Sequence, residues 1–366
     1  MKKLLAFMLI MTSLFINAQK NNYNFLIGTF TANTPSEGIY SINVDVKKKT
    51  HSIQYIAKGI DNPAFLAISP DSNYVYTVSE SGDKSTINAF KFDKPTGKLT
   101  FINKVSAGAS GPCYIAVNER HIITANYGSG SLCVFGRNEN GSVTDLIQLI
   151  QHHGGSYNKT RQAAPHVHQS VFTPDNQFVI TNDLGTDYVN VYKYQPDAEK
   201  ELLIAFDSLL VKPGSGPRHL TFTKTGETAY LLQELDGTLS VINYNNGRLN
   251  LLQETTVIRQ PDIVNGAADI HLSSDEKFVY ATNRGSVNNI TCFKVLKNKK
   301  LVFVQQISTL GVGPRNFSIT KDGKYLLVGN QKSNEIVVFK RNTASGKLKA
   351  TKIRIKIGAP VCLVEF

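Results

Sequence analysis

The sequence predicts an all-β fold, a seven-bladed β-propeller with four antiparallel strands per blade. One sequence motif recurs seven times along the 366 residues. It consists of a turn, a run of alternating apolar residues and a polar turn resembling Ser/Thr-Pro/Lys-Asp. The copies begin at Pro63, Pro112, Val167, Pro217, Ala267, Pro314 and Pro360, at steps of 49, 55, 50, 50, 47 and 46 residues. Repeats of about 40–50 residues that are rich in short strands indicate one four-stranded blade each.

Within each repeat the pattern predicts four strands, labelled A to D from the innermost outward. Aromatic and β-branched residues alternate between clusters of Gly, Asn, Asp and Pro. Strand A is predicted over 64–69, 113–117, 169–173, 219–223, 270–273, 316–320 and 361–366. Strand B is predicted over 25–28, 74–79, 121–126, 178–182, 228–233, 278–283 and 325–330. Strand C follows a turn, as in 38–44 and 335–340, and strand D follows a polar hairpin, as in 98–105 and 347–357.

The two ends of the chain are predicted to share one blade. The last strand A, 361–366, has no strand B after it, and the first strand B, 25–28, has no strand A before it. Pairing them closes the ring and removes two free sheet edges. Because each blade needs its neighbours to cover its faces, the unbroken repeat predicts a single domain over 19–366.

The first residues have the order of an export signal. Lys2 and Lys3 supply positive charge, residues 4–16 are almost wholly apolar, and Ala18 is a small residue before Gln19. This order is typical of a cleaved signal peptide, and the apolar run is short for a membrane span. We therefore expect a signal peptide over 1–18 and a mature protein that is periplasmic or secreted and not held in a membrane. A buried first strand is the alternative.

The charge balance favours an anionic partner. The chain has 40 Lys and Arg against 28 Asp and Glu, a formal net charge of +12. Such an excess attracts anions in general, but the lysines are scattered through hairpin turns, where they discourage edge pairing. No segment interleaves basic and aromatic residues, so we predict no nucleic-acid partner, and an anionic small molecule remains compatible.

Four cysteines, Cys113, Cys133, Cys292 and Cys362, form no CxxC pair. Neither a zinc site nor a redox motif of that kind is therefore predicted. Export would permit disulfides, but each cysteine falls within a predicted strand, and we assign each to a different blade as a small core residue.

The propeller architecture also predicts which distant residues meet. Neighbouring strands are antiparallel, so strand A starts, close to the central channel, on the face where strand B ends. The opening positions of the A strands are Ala64, Cys113, His168, Arg218, Ala268, Arg315 and Val361. The positions at the ends of the B strands are Thr29, Glu80, Tyr127, Asp183, Glu234, Arg284 and Gln331. Ionisable residues concentrate in the later blades, which predicts a functional site at one end of the channel.

Each candidate also has a structural interpretation. His166 and His168 are either turn residues, catalytic or substrate-binding groups, or metal ligands; with no third ligand evident, no metal and no cofactor are predicted. Arg218 and Arg315 share a Gly-Pro-Arg context and either brace a loop or bind substrate. Glu234 is either a functional group or a solvated charge at a strand edge, and Arg284 is either a functional group or the partner of Glu234 in a structural ion pair across blades.

Short segments along the whole mature chain resemble a known family. They begin at Phe25 (FLIGTFT), Asn62 (NPAFLAISPD), Pro165 (PHVH), Gly216 (GPRHL), Glu234 (EL), Asn283 (NRG) and Gly313 (GPRNF). In order and spacing they resemble the seven-bladed lactonase family, which includes propeller-type 6-phosphogluconolactonases and fungal carboxymuconate lactonizing enzymes. The resemblance implies a histidine, two arginines and a glutamate at the channel mouth, matching His166 or His168, Arg218, Arg284 and Glu234.

The implied reaction is hydrolysis of a sugar lactone. It needs an activated water, stabilisation of the oxyanion and a proton for the leaving alkoxide. Glu234 or a histidine would be the general base, and an arginine would hold the developing charge or a substrate carboxylate or phosphate. Our catalytic candidates are Glu234, His168, His166 and Arg284; our substrate-binding candidates are Arg218, Arg315, Asn283, Gln331 and Asp183.

Two other functions stay open on the sequence. One is a propeller without catalytic activity that binds a carbohydrate or a protein on the same face. The other is a lactonizing isomerase that closes a ring on an unsaturated diacid. For the hydrolase we expect a small-molecule lactone, anionic in character, as the partner, and a monomer.

Overall fold

A computed structural model describes residues 21–260 and 263–366 of the chain. These residues form 28 strands in seven antiparallel sheets of four strands each, which confirms the predicted seven-bladed propeller. The predicted signal peptide over 1–18 lies outside the described residues. Within the two described ranges, no helix has the length and apolar character needed to cross a bilayer.

The strands of each blade are given from the channel outward. Blade 1 contains β28 (Pro360–Glu365), β1 (Asn22–Thr29), β2 (Gly38–Asp45) and β3 (Thr50–Lys58). Blade 2 contains β4 (Pro63–Ile68), β5 (Tyr74–Ser79), β6 (Thr86–Asp93) and β7 (Lys98–Ser106). Blade 3 contains β8 (Pro112–Val117), β9 (His121–Asn126), β10 (Ser131–Arg137) and β11 (Val143–Gln151). Blade 4 contains β12 (Val167–Phe172), β13 (Phe178–Asp183), β14 (Tyr188–Tyr194) and β15 (Leu203–Leu210).

The remaining blades follow the same order. Blade 5 contains β16 (Pro217–Phe222), β17 (Thr228–Gln233), β18 (Thr238–Asn245) and β19 (Arg248–Thr256). Blade 6 contains β20 (Ala267–Leu272), β21 (Phe278–Asn283), β22 (Asn289–Val295) and β23 (Leu301–Ser308). Blade 7 contains β24 (Pro314–Ile319), β25 (Tyr325–Asn330), β26 (Glu335–Arg341) and β27 (Leu348–Lys356). Short 3₁₀ turns cover Gly82–Lys84 and Gln331–Ser333.

The ring closes as predicted, through the C-terminal strand. In blade 1, β28 pairs antiparallel with β1, with Phe25 opposite Glu365 and Ile27 opposite Leu363. Seven apolar clusters fill the gaps between successive blades, including one between the last blade and the first. Burial of one such Leu, Ile or Phe side chain contributes about 1.5–3 kcal/mol, so the closing interface stabilises the ring as the others do.

The polar residues of the recurring motif form the turn between strands A and B. In blade 4, Thr173 Oγ1 accepts from the backbone N–H of Phe178 at 3.1 Å and donates to the Asp175 carboxylate. Ser273 and Asp275 repeat this turn in blade 6. A tight turn leaves some backbone groups without a backbone partner, and these side chains hydrogen-bond to them. The sequence motif therefore recurs wherever this hairpin does.

Every inner strand opens with a β-bulge. In blade 5, Pro217 lies opposite Gln233 and His219 opposite Leu232, so Arg218 between them has no partner across the strand pair. The equivalent residues are Ala64, Cys113, His168, Ala268, Arg315 and Val361. A bulge re-aims the side chain of its extra residue. It also breaks the two-residue alternation, which explains why the inner strands begin one to three residues before their predicted starts.

All four cysteines are buried, and none is paired in a disulfide. Their assignment to four different blades is wrong, because Cys113 lies on β8 and Cys133 on β10 of the same blade. Both residues lie between Pro112 and Val167, which are the starts of two successive repeats. The repeat spacing therefore already placed them in one blade, and the error came from counting strands.

Candidate active site

On one face of the propeller, backbone hydrogen bonds join the ends of the B strands to the loops that precede the A strands. The backbone N–H of Glu234 donates to Gly216 O at 2.7 Å, and that of Arg284 donates to Gly266 O at 3.0 Å. Glu80, Tyr127 and Gln331 make the equivalent bond in their blades. The two predicted sets of positions therefore meet at one end of the channel.

Two members of the second set were placed one residue too early. In blade 4 the strand runs on through Asp183, which pairs with Val167, and the loop position belongs to Leu184. In blade 1 it belongs to Phe30 and not to Thr29, since Phe30 N–H makes the bond to Ala359 O at 3.1 Å. The last residue of strand B varies by one position between blades, and the alternation of apolar and polar residues does not reveal that difference.

Glu234 lies at the centre of a cluster of arginines. Its Oε2 accepts from Arg218 Nε at 3.0 Å and from Arg284 Nη2 at 2.9 Å. Its Oε1 accepts from Arg161 Nη2 at 2.7 Å. The side chains of Arg218 and Glu234 are only 2% and 7% exposed, so this ion pair lies in a poorly solvated place where charge interactions are strong. Arg161, whose side chain is 41% exposed, pairs with Glu234 from the solvent side.

The arginines keep Glu234 ionised. Burial on its own would raise the pKa of this carboxyl, but Arg284, Arg218 and Arg161 outweigh burial and hold the pKa at about 2. A carboxylate with so low a pKa is a weak proton acceptor at neutral pH. Its negative charge instead orients the guanidinium groups around it.

Arg161 belongs to the candidate site and was missed by the sequence analysis. It lies in the long loop between β11 and β12, and its Nη2 also contacts Tyr127 OH at 3.3 Å. The loop is fixed by Gln162, which is fully buried and donates to Asp187 Oδ1 at 2.8 Å. The step of 55 residues between Pro112 and Val167, the longest in the chain, was the available signal of an inserted loop.

These side chains enclose a pocket of about 240 Å³ at the channel mouth. Its lining residues are Glu80, Cys113, Tyr127, Arg161, His168, Glu234, Arg284 and Arg315. A wider groove of about 530 Å³ adjoins it and shares Arg161, Glu234 and Arg284. Gln331 lines that groove and not the inner pocket.

His168 is 5% exposed and is held neutral. Burial, together with the positive charge of Arg218, keeps the pKa of His168 well below its usual value. Its Nδ1 lies 3.8 Å from Cys113 Sγ. Burial raises the pKa of the Cys113 thiol to about 12, so this cysteine is not a thiolate nucleophile at neutral pH.

Comparison with known proteins places this architecture in a family. A family model described as the seven-bladed β-propeller lactonase matches residues 24–365. This chain belongs to the seven-bladed lactonase family. Membership confirms both the resemblance noted in the sequence and the prediction of a carboxylic ester hydrolase of the lactonase type.

Individual relatives match over nearly the whole chain. A 6-phosphogluconolactonase of Formosa agariphila is 34% identical over 347 residues, which cover 93% of this chain and 98% of the relative. A 6-phosphogluconolactonase of Bacillus subtilis is 32% identical over 344 residues, 92% of this chain and 96% of the relative. The structure of a periplasmic gluconolactonase of Pseudomonas aeruginosa superposes with a TM-score of 0.90 at 33% identity, covering 94% of this chain and 99% of that one.

The other candidates of this lactonase chain lie at the rim or below it. The His166 ring stacks on Tyr127 with centroids 4.4 Å apart, and its Nδ1 donates to Tyr127 O at 2.9 Å. The guanidinium of Arg315 lies 5.4 Å from the centre of the Phe30 ring and faces the pocket. Arg218 is 1% exposed and lies beneath Glu234.

Asp183 and Asn283 are not brought into the pocket. Both are fully buried. Asp183 accepts from the backbone N–H of His166 at 2.8 Å and from His152 Nδ1 at 2.7 Å. Asn283 accepts from Gly266 N–H at 3.1 Å and donates to Asn265. Each side chain holds the loop that precedes its inner strand, which is a structural role.

A second polar network lies deeper in the channel of the lactonase fold. Asp269 accepts from His219 Nδ1 at 2.9 Å and from His271 Nε2 at 2.8 Å. Burial and Arg218 lower the pKa of His219 to about 4. Burial opposes the charge on Asp269, but the adjacent histidines, His271 above all, outweigh it and keep the pKa of this carboxyl below its usual value. The network supports the floor on which Arg218 rests.

Proposed function

We propose that this chain hydrolyses a sugar lactone that carries a negative charge. The supporting observation is the charge at the channel mouth: Arg161, Arg284 and Arg315 line the pocket, and Arg218 lies directly below it. The carboxyl groups that face them are Glu234 and Glu80. The arginines are in excess, and guanidinium groups bind carboxylates and phosphates in a planar, two-point geometry.

Hydrolysis places negative charge where these arginines are. Attack of water on the lactone carbonyl creates an oxyanion, and donors fixed in a water-poor site stabilise it without reorganising. Arg284 and Arg161 are assigned to the oxyanion or the lactone carbonyl, and Arg315 to the anionic group of the substrate. Glu234 holds Arg161, Arg218 and Arg284 in position.

His168 contributes as a neutral imidazole in this proposal. Next to several guanidinium groups an imidazolium would be strongly disfavoured, so His168 serves as a hydrogen-bonding group toward the substrate. His166, stacked on Tyr127 at the rim, is assigned to the edge of the binding site.

The natural substrate is proposed by chemical class. Two relatives are named 6-phosphogluconolactonase, and a structural neighbour is described as a gluconolactonase. These names support an aldonolactone, with or without a phosphate. The arginine-rich pocket favours the phosphorylated or otherwise anionic form.

The reaction is tested with a neutral and an anionic lactone, glucono-δ-lactone and its 6-phosphate. Acid release is followed in weak buffer at pH 6.5 to 7, with the uncatalysed rate subtracted. We expect a higher kcat/KM for the phosphate, a preference that shrinks at high salt because screening weakens charge attraction. Arg315→Ala lowers that preference, whereas Arg120→Ala, at an arginine on the outer surface that is 53% exposed, leaves it unchanged.

Two further measurements, sugar binding and ultraviolet absorbance, separate the other functions. If no lactone is opened faster than in buffer, but anionic sugars bind, the chain is a binding propeller. If no lactone is opened, but an unsaturated diacid loses its ultraviolet absorbance on conversion to a lactone, the chain is an isomerase. Either result overturns the proposed hydrolase.

We also propose that the protein is exported. The supporting observations are the charged and apolar start of the sequence and the description of the Pseudomonas aeruginosa neighbour as periplasmic. Mass spectrometry of the protein expressed in its full length tests this: export predicts a mature chain that begins at Gln19. A chain that retains Lys2 and Lys3 would contradict it.

A further inference from the structure

Glu80 is held rigidly at the wall of the inner pocket. Its backbone N–H donates to Asn62 O at 3.0 Å, and its carbonyl accepts from Asn62 Nδ2 at 2.9 Å. Asn62 Oδ1 in turn accepts from the N–H groups of Thr31 and Ala32, at 2.8 and 2.9 Å. Asn62 therefore links the backbone of Glu80 to the loop of the neighbouring blade. These bonds fix the Glu80 backbone beside the pocket.

Within residues 21–260 and 263–366, one carboxyl oxygen of Glu80 is buried without a hydrogen-bond partner. Of the buried polar side-chain atoms without a hydrogen-bond partner in the described part of the chain, the only carboxyl oxygen is Glu80 Oε2. An unsatisfied buried polar group costs about 1–3 kcal/mol, and more if charged. A carboxyl with a purely structural role would be paired, as Glu234 is with three arginines.

The two carboxyl groups of the pocket therefore differ in their readiness to take a proton. Burial raises the pKa of Glu80, and the attraction of Arg315 only partly offsets it. The arginines around Glu234 hold its pKa at about 2. Two carboxyl groups whose pKa values are pushed apart within one pocket commonly divide the acid–base work between them.

We propose that Glu80, which lines the same cavity as His168, Glu234 and Arg284, is the residue that moves the proton during lactone hydrolysis. This inference rests on the proposed function. The carboxylate of Glu80 takes a proton from the water that adds to the carbonyl carbon. The tetrahedral intermediate then collapses, the ring C–O bond breaks, and the same proton passes from Glu80 to the leaving ring oxygen.

The step balances without another reactant. Water supplies the hydroxyl group on the new carboxyl carbon and the hydrogen on the released ring oxygen. The product is an open-chain hydroxy acid, which loses its own acidic proton to solvent. Glu80 returns to the carboxylate form, ready for the next substrate.

The other groups that face Glu80 do not compete for this role. Glu234 is a weak proton acceptor, and Cys113 stays a thiol because burial raises its pKa to about 12. His168 is neutral and surrounded by cations. The remaining groups on the wall are the guanidiniums of Arg161, Arg284 and Arg315 and the Tyr127 hydroxyl.

The test compares Glu80→Gln and Glu80→Asp with the unaltered protein on 6-phosphoglucono-δ-lactone. Removal of a general acid–base group lowers kcat by about 10²- to 10⁴-fold. We expect Glu80→Gln to fall in that range with KM nearly unchanged. The acid limb of the kcat/KM profile, which reports the raised pKa of Glu80, disappears. Glu80→Asp keeps a limb and part of the activity. Glu201→Gln, at an exposed residue of the outer surface, is the matched control.

A second measurement is independent of turnover. The carboxyl carbons of ¹³C-glutamate-labelled protein are titrated by NMR, and the Glu80 signal is assigned from its loss in Glu80→Gln. A Glu80 that titrates at the ordinary glutamate value overturns the inference, as does a Glu80→Gln variant with full activity and an intact acid limb. A protein that opens no lactone while Glu80 titrates above the ordinary value contradicts the proposed function instead.

Discussion

Arg161 donates to Glu234 at 2.7 Å across 73 residues of sequence. The contact joins the loop between blades 3 and 4 to the end of a strand in blade 5 and completes the set of guanidiniums around one carboxylate. Arg161 is also the most exposed of the three arginines that Glu234 binds, with 41% of its side chain open to solvent. It therefore combines a structural contact with a place on the wall of the pocket.

Replacement of Arg161 by Ala is expected to affect activity more than stability. Because Arg161 is partly solvated, its ion pair contributes at most about 1 kcal/mol to the free energy of unfolding. Loss of a positioned donor to the oxyanion costs about 10²- to 10³-fold in kcat, and we expect the lower end of that range. Steady-state kinetics and urea unfolding of Arg161→Ala and Arg161→Lys measure both effects. A large loss of stability with unchanged kcat would contradict the assignment.

Glu234→Gln is expected to destabilise the protein in a pH-dependent way. It leaves Arg218 and Arg284 without their buried counter-charge, which costs about 3–5 kcal/mol at pH 7. The pKa of the Glu234 carboxyl is lowered from the ordinary glutamate value of 4.5 to about 2 in the folded protein. Its contribution is therefore complete above pH 4.5 and is lost as the pH falls toward 2.

Urea unfolding at pH 7 and at pH 3 checks this dependence. The difference in unfolding free energy between the unaltered protein and Glu234→Gln should shrink at the lower pH. An equal difference at both values would mean that the carboxylate charge is not what stabilises the cluster.

Asp269→Asn is expected to be severely destabilising although Asp269 lies below the pocket. Besides His219 and His271, Asp269 accepts from Asn316 Nδ2 at 2.6 Å and from Phe317 N–H at 3.2 Å. An amide offers one acceptor oxygen in place of two and brings its own donors, so buried partners lose their bonds at a cost of about 3–5 kcal/mol.

Asp197→Asn is the matched control for this substitution. Its side chain is 88% exposed, and its ion pair with Arg120 lies on the surface, where such a pair is worth about 0–1 kcal/mol. Thermal unfolding of both variants gives the comparison. Similar melting temperatures for the two would contradict the view that Asp269 organises the channel.

His168 is expected to show no protonation step between pH 5.5 and 8. Burial and the charge of Arg218 lower its pKa well below the usual 6.5, so the imidazole is neutral throughout this range. Its ¹H–¹³C ring signal, assigned from its loss in His168→Gln, should keep a constant chemical shift. A titration near pH 6.5 would mean that the channel mouth is better solvated than its geometry indicates.

The repeat spacing was enough to predict the propeller, the closing strand and the face on which the charged residues gather. Those features follow from a period, because each blade must bury its faces against the next. For the same reason Arg218, Glu234 and Arg284 were expected to meet, and they do. The predicted loop positions at Asp183 and Thr29 were each wrong by one residue. A bulge in the inner strand and a longer strand B shift the strand register, but they leave the alternation of apolar and polar residues unchanged.

By itself, then, the amino-acid order determined the architecture, the ring closure and the core of the charged cluster, since all of these depend on a pattern that repeats. Tertiary structure alone decided that Arg161 reaches Glu234, that Asn283 holds a loop, and that Glu80 keeps an unpaired oxygen. These features depend on the path of particular loops and on which polar atoms find partners once water is excluded. Neither the loop paths nor the pairing of polar atoms follows the repeat, so the spacing of residues in the sequence does not predict them.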